Sequence, residues 1–196
     1  MPNDIEDLLS PLASLQHLLS RYNDQGVIIG GIAASLLGKP RLTVDIDAMF
    51  LLSILDIPSF LRTARIEGFE PRIEGAGDFA RKNRVLLLRH TSSDTNIDIS
   101  LGILPFEEEM VKRSVVYKLG TLSLRLPTPE DLIIIKAVAH RPKDLLDIQA
   151  VVEKHPDLDI GHIEQWVKAF ADVLDFPQLW QDVHPLLNVP PKESES

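Results

Sequence analysis

Two carboxylates one residue apart, Asp45-Ile46-Asp47, stand inside the apolar run Val44 to Leu52. If that run is a strand, positions i and i+2 face the same side, so the two carboxylates project together with Ile46 behind them. Like charges held that close oppose each other's ionisation, and a divalent cation removes the conflict. Hard oxygen donors suit Mg²⁺ (or Mn²⁺), and Mg²⁺ typically takes one or two carboxylates plus substrate phosphates. A second stretch, Asn96-Ile97-Asp98-Ile99-Ser100, alternates polar and apolar residues, which puts Asp98 on one face with Asn96 and Ser100. A strand carrying Asp98 beside the first would complete a three-carboxylate cluster. Such a cluster could hold one or two ions, and a pair ~3.5–4 Å apart clamps the attacking and leaving oxygens of phosphoryl transfer. Taken alone, each motif is short enough to be a strand-end cap instead.

Upstream, Val27-Ile28-Ile29 runs into Gly30-Gly31 and then into a helical pattern. Glycines at a strand-to-helix turn let backbone N–H groups approach a phosphate at the positive end of the helix dipole. Neither a P-loop lysine nor Gly-x-Gly-x-x-Gly follows, so the pair is not one of those fingerprints.

These residues need a framework, and the periodicity supplies one. Residues 4–22 read as an amphipathic helix, 27–29 as a strand, 32–37 as a helix and 44–52 as a strand. A helix is expected over 59–67, with a hairpin of strands at 84–89 and 96–101 around Thr91-Ser92-Ser93-Asp94. Residues 107–113 read as a short helix or a charged loop, and 115–118 and 122–126 as short strands split by Gly120. Gly75-Ala76-Gly77-Asp78 reads as a flexible loop that could act as a lid. Thr128-Pro129-Glu130-Asp131 is a strong helix start, with a cap, a proline in the first turn and acids at the positive end. That helix runs to about His140, and further helices are expected over 143–154 and 160–173. The organisation is an α/β core over 1–126, a helical part over 127–187 packed on it, and a flexible tail over 188–196.

Composition narrows the function classes. The chain has 196 residues and no cysteine, which removes disulfides, thiolate metal sites and a cysteine nucleophile. That fits a reducing cytoplasm, the expected location. The acidic N-terminus lacks the basic region of a signal peptide, and no apolar run is long enough to span a bilayer. A formal net charge of −9 disfavours a non-specific nucleic-acid coat, while leaving room for a local basic groove.

Read together, Gly30-Gly31, the following helix and Arg41-Leu42-Thr43-Val44-Asp45-Ile46-Asp47 resemble the nucleotidyltransferase superfamily, most of all its AbiEii-type toxin branch. The Asp98 stretch and Pro129-Glu130-Asp131-Leu132, Lys136 and Arg141-Pro142-Lys143-Asp144-Leu145-Leu146-Asp147 carry the rest of the likeness, over roughly residues 25–153. The resemblance implies an α/β (α+β) nucleotidyltransferase fold, a small mixed sheet flanked by helices with a helical C-terminal part. It implies that Gly30 and Gly31 cradle nucleotide phosphates, that Asp45 and Asp47 bind Mg²⁺, and that Asp98 is a ligand or general base. Arg41, Thr43, Lys136 and Lys143 become nucleotide-contact candidates. For Arg41 and Thr43 a solvated loop is the plainer alternative. For Lys143 it is local helix pairing, worth ~0.3–0.5 kcal/mol per pair. Lys136 sits in an apolar helix, which favours a role in function. Many relatives have Gly-Ser at the turn; Gly-Gly here lacks a hydroxyl but keeps the backbone donors. Seven basic residues, Arg62, Arg65, Arg72, Arg81, Lys82, Arg84 and Arg89, read as scattered surface charge, with an acceptor groove as the alternative.

The expected activity is Mg²⁺-dependent transfer of a nucleoside monophosphate from an NTP to a hydroxyl of RNA, protein or a small molecule. The resemblance adds a toxin–antitoxin role, with an antitoxin protein as partner. A non-catalytic binding protein of the same fold and a D-x-D glycosyltransferase are the alternatives.

Overall fold

The computed structural model describes residues 8–187. They form two compact units, one of residues up to 32 with 41–127, the other of residues 33–40 with those from 128 onward.

The first unit opens with helix α1 (Leu9–Arg21), strand β1 (Gly26–Ile29) and the first turn of helix α2 (Gly30–Leu37), whose remainder belongs to the second unit. Strand β2 (Ile46–Phe50), helix α3 (Ile57–Ile66), strand β3 (Phe69–Pro71), helix α4 (Ala76–Asn83), strands β4 (Val85–His90) and β5 (Thr95–Leu101), helix α5 (Pro105–Arg113), and strands β6 (Val115–Leu119) and β7 (Leu122–Leu126) follow. Five strands make one mixed sheet in the order β1-β2-β5-β4-β3, and β6 pairs with β7 in a separate ribbon. Only β2 and β5 run parallel; the other neighbours are antiparallel.

Residue type sets the two faces of this sheet. Along β5 buried and half-buried residues alternate without exception, with Ile97, Ile99 and Leu101 turned inward. Leu86 and Leu88 of β4 and Ile46, Ala48 and Phe50 of β2 share the buried face. Tyr22, just past α1, packs against Phe50 and against Phe60 of α3, and Ser14 of α1 bonds His90 of β4 at 3.2 Å. Such burial of aliphatic and aromatic surface contributes about 25 cal/mol per Å².

Several expectations change at their edges. β2 is shorter than the run 44–52, so Asp45 stands at a bend just before the strand. Gly75 to Asp78 is not a loop: Gly75 is the left-handed cap (φ 63°) of α4, whose buried side chains are the alanines Ala76 and Ala80. Residues 107–113 belong to a helix, α5, with the Glu107 carboxylate accepting from the N–H groups of Ile103 (2.6 Å) and Leu104 (2.7 Å). Residues 4–7 of the first expected helix and the tail 188–196 lie outside the described residues.

The second unit joins the rest of α2 to helices α6 (Pro129–Ala139), α7 (Pro142–Lys154), α8 (Ile160–Val173) and α9 (Gln178–Leu187). Thr128 caps α6 by accepting from the N–H of Asp131 at 3.2 Å, and His140 ends it in a left-handed conformation. Leu132, Ile133, Ile134 and Ala137 are wholly buried in α6, with Ile148 and Val151 of α7 and Ile163 and Val167 of α8 also in this core. Lys154 donates to the carbonyl of Leu36 at 2.9 Å, and His155 Nε2 meets that of Leu37 at 2.8 Å. Together they satisfy the open C-terminal carbonyls of α2. Among the described residues no helix is long and apolar enough to cross a membrane.

Candidate functional site

The parallel pairing of β2 with β5 sets Asp47 directly opposite Asp98. Partners in register present their side chains on one face, so these carboxylates are neighbours across one strand spacing, ~4.8 Å. Both are half-buried, on the face opposite Ile46 and Ile97. The antiparallel β1–β2 pairing places Ile29, the last residue before the glycine turn, opposite Asp47 on its other side.

The turn itself lies on Asp47. Gly30 has φ +64°, and a Cβ there would collide with the Asp47 carboxylate. A Cβ at Gly31 would stand 2.5 Å from the Thr43 hydroxyl and 3.5 Å from an Arg41 guanidinium nitrogen. Gly30 is held to glycine by its positive φ as well as by Asp47, while a side chain at Gly31 would require Thr43 to shift. The Thr43 hydroxyl therefore lies beside position 31. Gly30, Gly31, Arg41, Thr43 and Asp47 thus form one cluster at the N-terminus of α2, the end of a helix that favours an anion. Arg41 is exposed, and the Thr43 hydroxyl donates to the carbonyl of Asp45 at 3.3 Å.

Asp45 is exposed. Burial pushes the Asp98 carboxyl above the ordinary value, the Arg72 guanidinium opposes that, and the charge of Asp45 adds to it. Asp45 is thus near enough to Asp98 for its charge to be felt there. Arg72 forms an ion pair with Asp98 through Nη2 and Oδ1. Sequence reasoning did not separate this residue from the other basic residues around it.

Lys136 and Lys143 belong to the second unit. The Lys136 ammonium is buried and donates to Asp144 at 2.9 Å and Asp147 at 2.7 Å, so it has two carboxylate partners where the sequence suggested a nucleotide. Arg141 also donates to Asp144, at 2.6 Å. Burial alone would raise the Asp144 carboxyl; the bonds from Arg141 and Lys136 reverse that and hold it below the ordinary value. Lys143 is exposed in the first turn of α7. His140, beside Arg141, meets Asp182 at 3.1 Å and packs edge-on against Phe176.

Among the described residues no three His, Asp or Glu side chains gather into a ready-made metal cage. The donor set nevertheless fits Mg²⁺. That ion keeps much of its hydration and is content with one or two carboxylates when phosphate oxygens supply the rest. The facing pair Asp47 and Asp98, beside an anion-binding turn, is such a set.

A family model described as "Nucleotidyltransferase of unknown function (DUF6036)" matches residues 6–175. No curated protein matches the sequence. Among solved structures, the antibiotic-resistance factor ANT(2'')-Ia is similar with TM-score 0.54 and 13% identity, over 90% of this chain and 98% of that one. An antigenic nucleotidyltransferase-like protein from Paracoccidioides brasiliensis is similar with TM-score 0.55 and 15% identity, over 99% of this chain and 98% of that one. At these identities the likeness is one of fold, and the fold is the mixed α/β one of nucleotidyltransferases.

Proposed function

The chain belongs to this nucleotidyltransferase family, and from that premise we propose that it moves a nucleoside monophosphate from an NTP to a hydroxyl group, with Mg²⁺ held by Asp45, Asp47 and Asp98. The observation that carries the proposal is the Gly30-Gly31 turn seated on Asp47, with Asp47 facing Asp98 across parallel strands. A phosphate binder and a pair of hard oxygen donors then share one end of one sheet. Family membership also favours an NTP over the nucleotide sugar that a D-x-D glycosyltransferase would use.

In this reading the amides of Gly30 and Gly31 donate to phosphate oxygens at the start of α2. The Thr43 hydroxyl supplies a side-chain donor beside them, and Arg41 adds a positive charge at the mouth of the turn. Bound Mg²⁺ would neutralise charge on the transferred and leaving phosphates. Asp98, whose burial raises its affinity for a proton, takes the proton of the acceptor hydroxyl. The freed oxygen forms a bond to the α-phosphorus, the bond from that phosphorus to the β-bridging oxygen breaks, and pyrophosphate leaves with the electron pair. Exposed Lys143 keeps the nucleotide-contact role that the sequence resemblance implies for it. Lys136 is assigned to the internal support of α6 and α7.

The acceptor is an RNA, a protein or a small molecule. A toxin role, implied by the sequence resemblance, adds an antitoxin protein as partner. Co-expression with the product of the neighbouring gene tests that part, through a stable complex with suppressed activity.

The enzymatic proposal is tested by incubating the protein with each α-³²P-labelled NTP, Mg²⁺ and cell extract. Label transferred to a new species by the wild type, and not by a folded Asp45→Ala variant, is the expected result. Label that never moves with any NTP, or moves equally with Asp45→Ala, would refute it.

A further inference from the structure

One row of the sheet carries more of the site than its aspartates. β3 pairs with β4 through Pro71 and Leu88, and the N–H of Arg72 extends that ladder by donating to the carbonyl of Leu87 at 2.9 Å. Leu87 is paired with Asp98, Asp98 with Asp47, and Asp47 with Ile29. Arg72, Leu87, Asp98, Asp47 and Ile29 therefore form a continuous row that ends at Gly30. Residues in register share a face, so Arg72 emerges on the face of the carboxylates, two strands from Asp98. That separation is ~10 Å between backbones, within the reach of an extended arginine. Its guanidinium spans Leu87 and closes on Asp98.

The guanidinium is only partly satisfied there. Arg72 Nε is buried and has no hydrogen-bond partner, although the side chain keeps about a quarter of its surface in solvent. A purely architectural arginine that deep would normally use its planar fork in full. This one reaches Asp98 through a single nitrogen.

We propose that Arg72 is a positioning residue that holds Asp98 and competes with the divalent ion for that carboxylate. This rests on the metal reading given above and adds to it a competition: one carboxylate, two candidate cations, and repulsion between the cations when both are near. The ion pair aims the Asp98 carboxylate along the sheet row. Were Asp98 shared with a bound ion, the Arg72 guanidinium would be freed to face the negative charge of a nucleotide's phosphates.

The competition gives an unusual sign, because removing a residue from the site should tighten metal binding. The experiment is a calorimetric titration of the full chain with Mn²⁺, without nucleotide, on wild type, Arg72→Gln, Arg72→Lys, Asp98→Asn and the double variant Arg72→Gln/Asp98→Asn. Circular dichroism establishes that each is folded. Arg72→Gln should bind Mn²⁺ more tightly, on the order of threefold to tenfold for release of a partly exposed ion pair. Arg72→Lys should stay near wild type because it keeps the charge. Asp98→Asn should bind weakly, and adding Arg72→Gln to it should change nothing further. Equal or weaker Mn²⁺ binding by Arg72→Gln, with Asp98→Asn still impaired, would overturn the role of Arg72 and leave the metal site standing. Mn²⁺ affinity indifferent to Asp98→Asn would instead remove the metal reading, and the inference with it.

Discussion

At the scale of single residues, the glycine turn is the most constrained feature. Gly31 and Thr43 compete for one volume, so Gly31→Ser should cost about 1–3 kcal/mol by overpacking, read as a lowered Tm. Thr43→Ala should weaken NTP binding about tenfold or more by deleting a donor to a charged oxygen, measured by calorimetry. Placing Gly31→Ser in the Thr43→Ala background should recover part of both losses, since the serine hydroxyl then occupies the vacated place. If the double variant is merely as poor as the sum of its parts, the two positions do not share a function. The requirement for Gly30 was legible in outline, as a glycine ending a strand. Its cause was not, because the Asp47 carboxylate that excludes a Cβ arrives from another strand. The aspartates themselves were legible from type and spacing. Arg72 was not, because its row is set by β3, a three-residue strand with no periodicity to read.

Elements show the same division between local and distant causes. β5 could be read from alternation alone, and the helix beginning at Thr128 from its cap, proline and acids. That β5 lies parallel and adjacent to β2 depends on chain crossing, which no local pattern records. α4 escaped notice because its glycine-flanked start and polar surface hide two buried alanines. In α6 the apolar run predicted burial, and Asp144 and Asp147 stand three apart on one face of α7. Their common partner, Lys136, became visible only when the helices met. Lys136→Met should therefore destabilise the protein by about 3–5 kcal/mol, leaving two buried carboxylates without their ammonium. Urea titration measures this, and Asp144→Asn with Asp147→Asn in the same chain should return part of it. A Lys136→Met protein of wild-type stability would show that the buried pair carries no weight.

For the whole molecule, pH and charge are the informative variables. His90 is buried between Ser14 and Ser93, and its burial lowers the imidazole pKa below the ordinary 6.5. Below that ordinary value the unfolded chain takes up a proton that the native chain refuses, so stability falls as pH drops. The slope approaches at most about 1.4 kcal/mol per pH unit. Tm should decline between pH 7 and 5, and a folded His90→Asn variant should show a shallower decline. Asp144 has a lowered carboxyl, so its contribution is present above the ordinary carboxylate value of 3.8 and is lost as pH falls through its folded value. The net charge of −9, read directly from composition, opposes a non-specific electrostatic grip on nucleic acid, so an RNA acceptor would be held by local contacts.

The proposed function requires that Asp45, Asp47 and Asp98 hold the cation for nucleotidyl transfer. It is tested most directly by pyrophosphate release from an NTP with Mg²⁺ and acceptor-containing extract, comparing wild type with Asp47→Asn. Asp47→Asn keeps the shape of the side chain beneath Gly30 and removes its charge. Release should fall at least a hundredfold while Tm changes by no more than a few degrees. Undiminished pyrophosphate release by a folded Asp47→Asn protein would contradict the account.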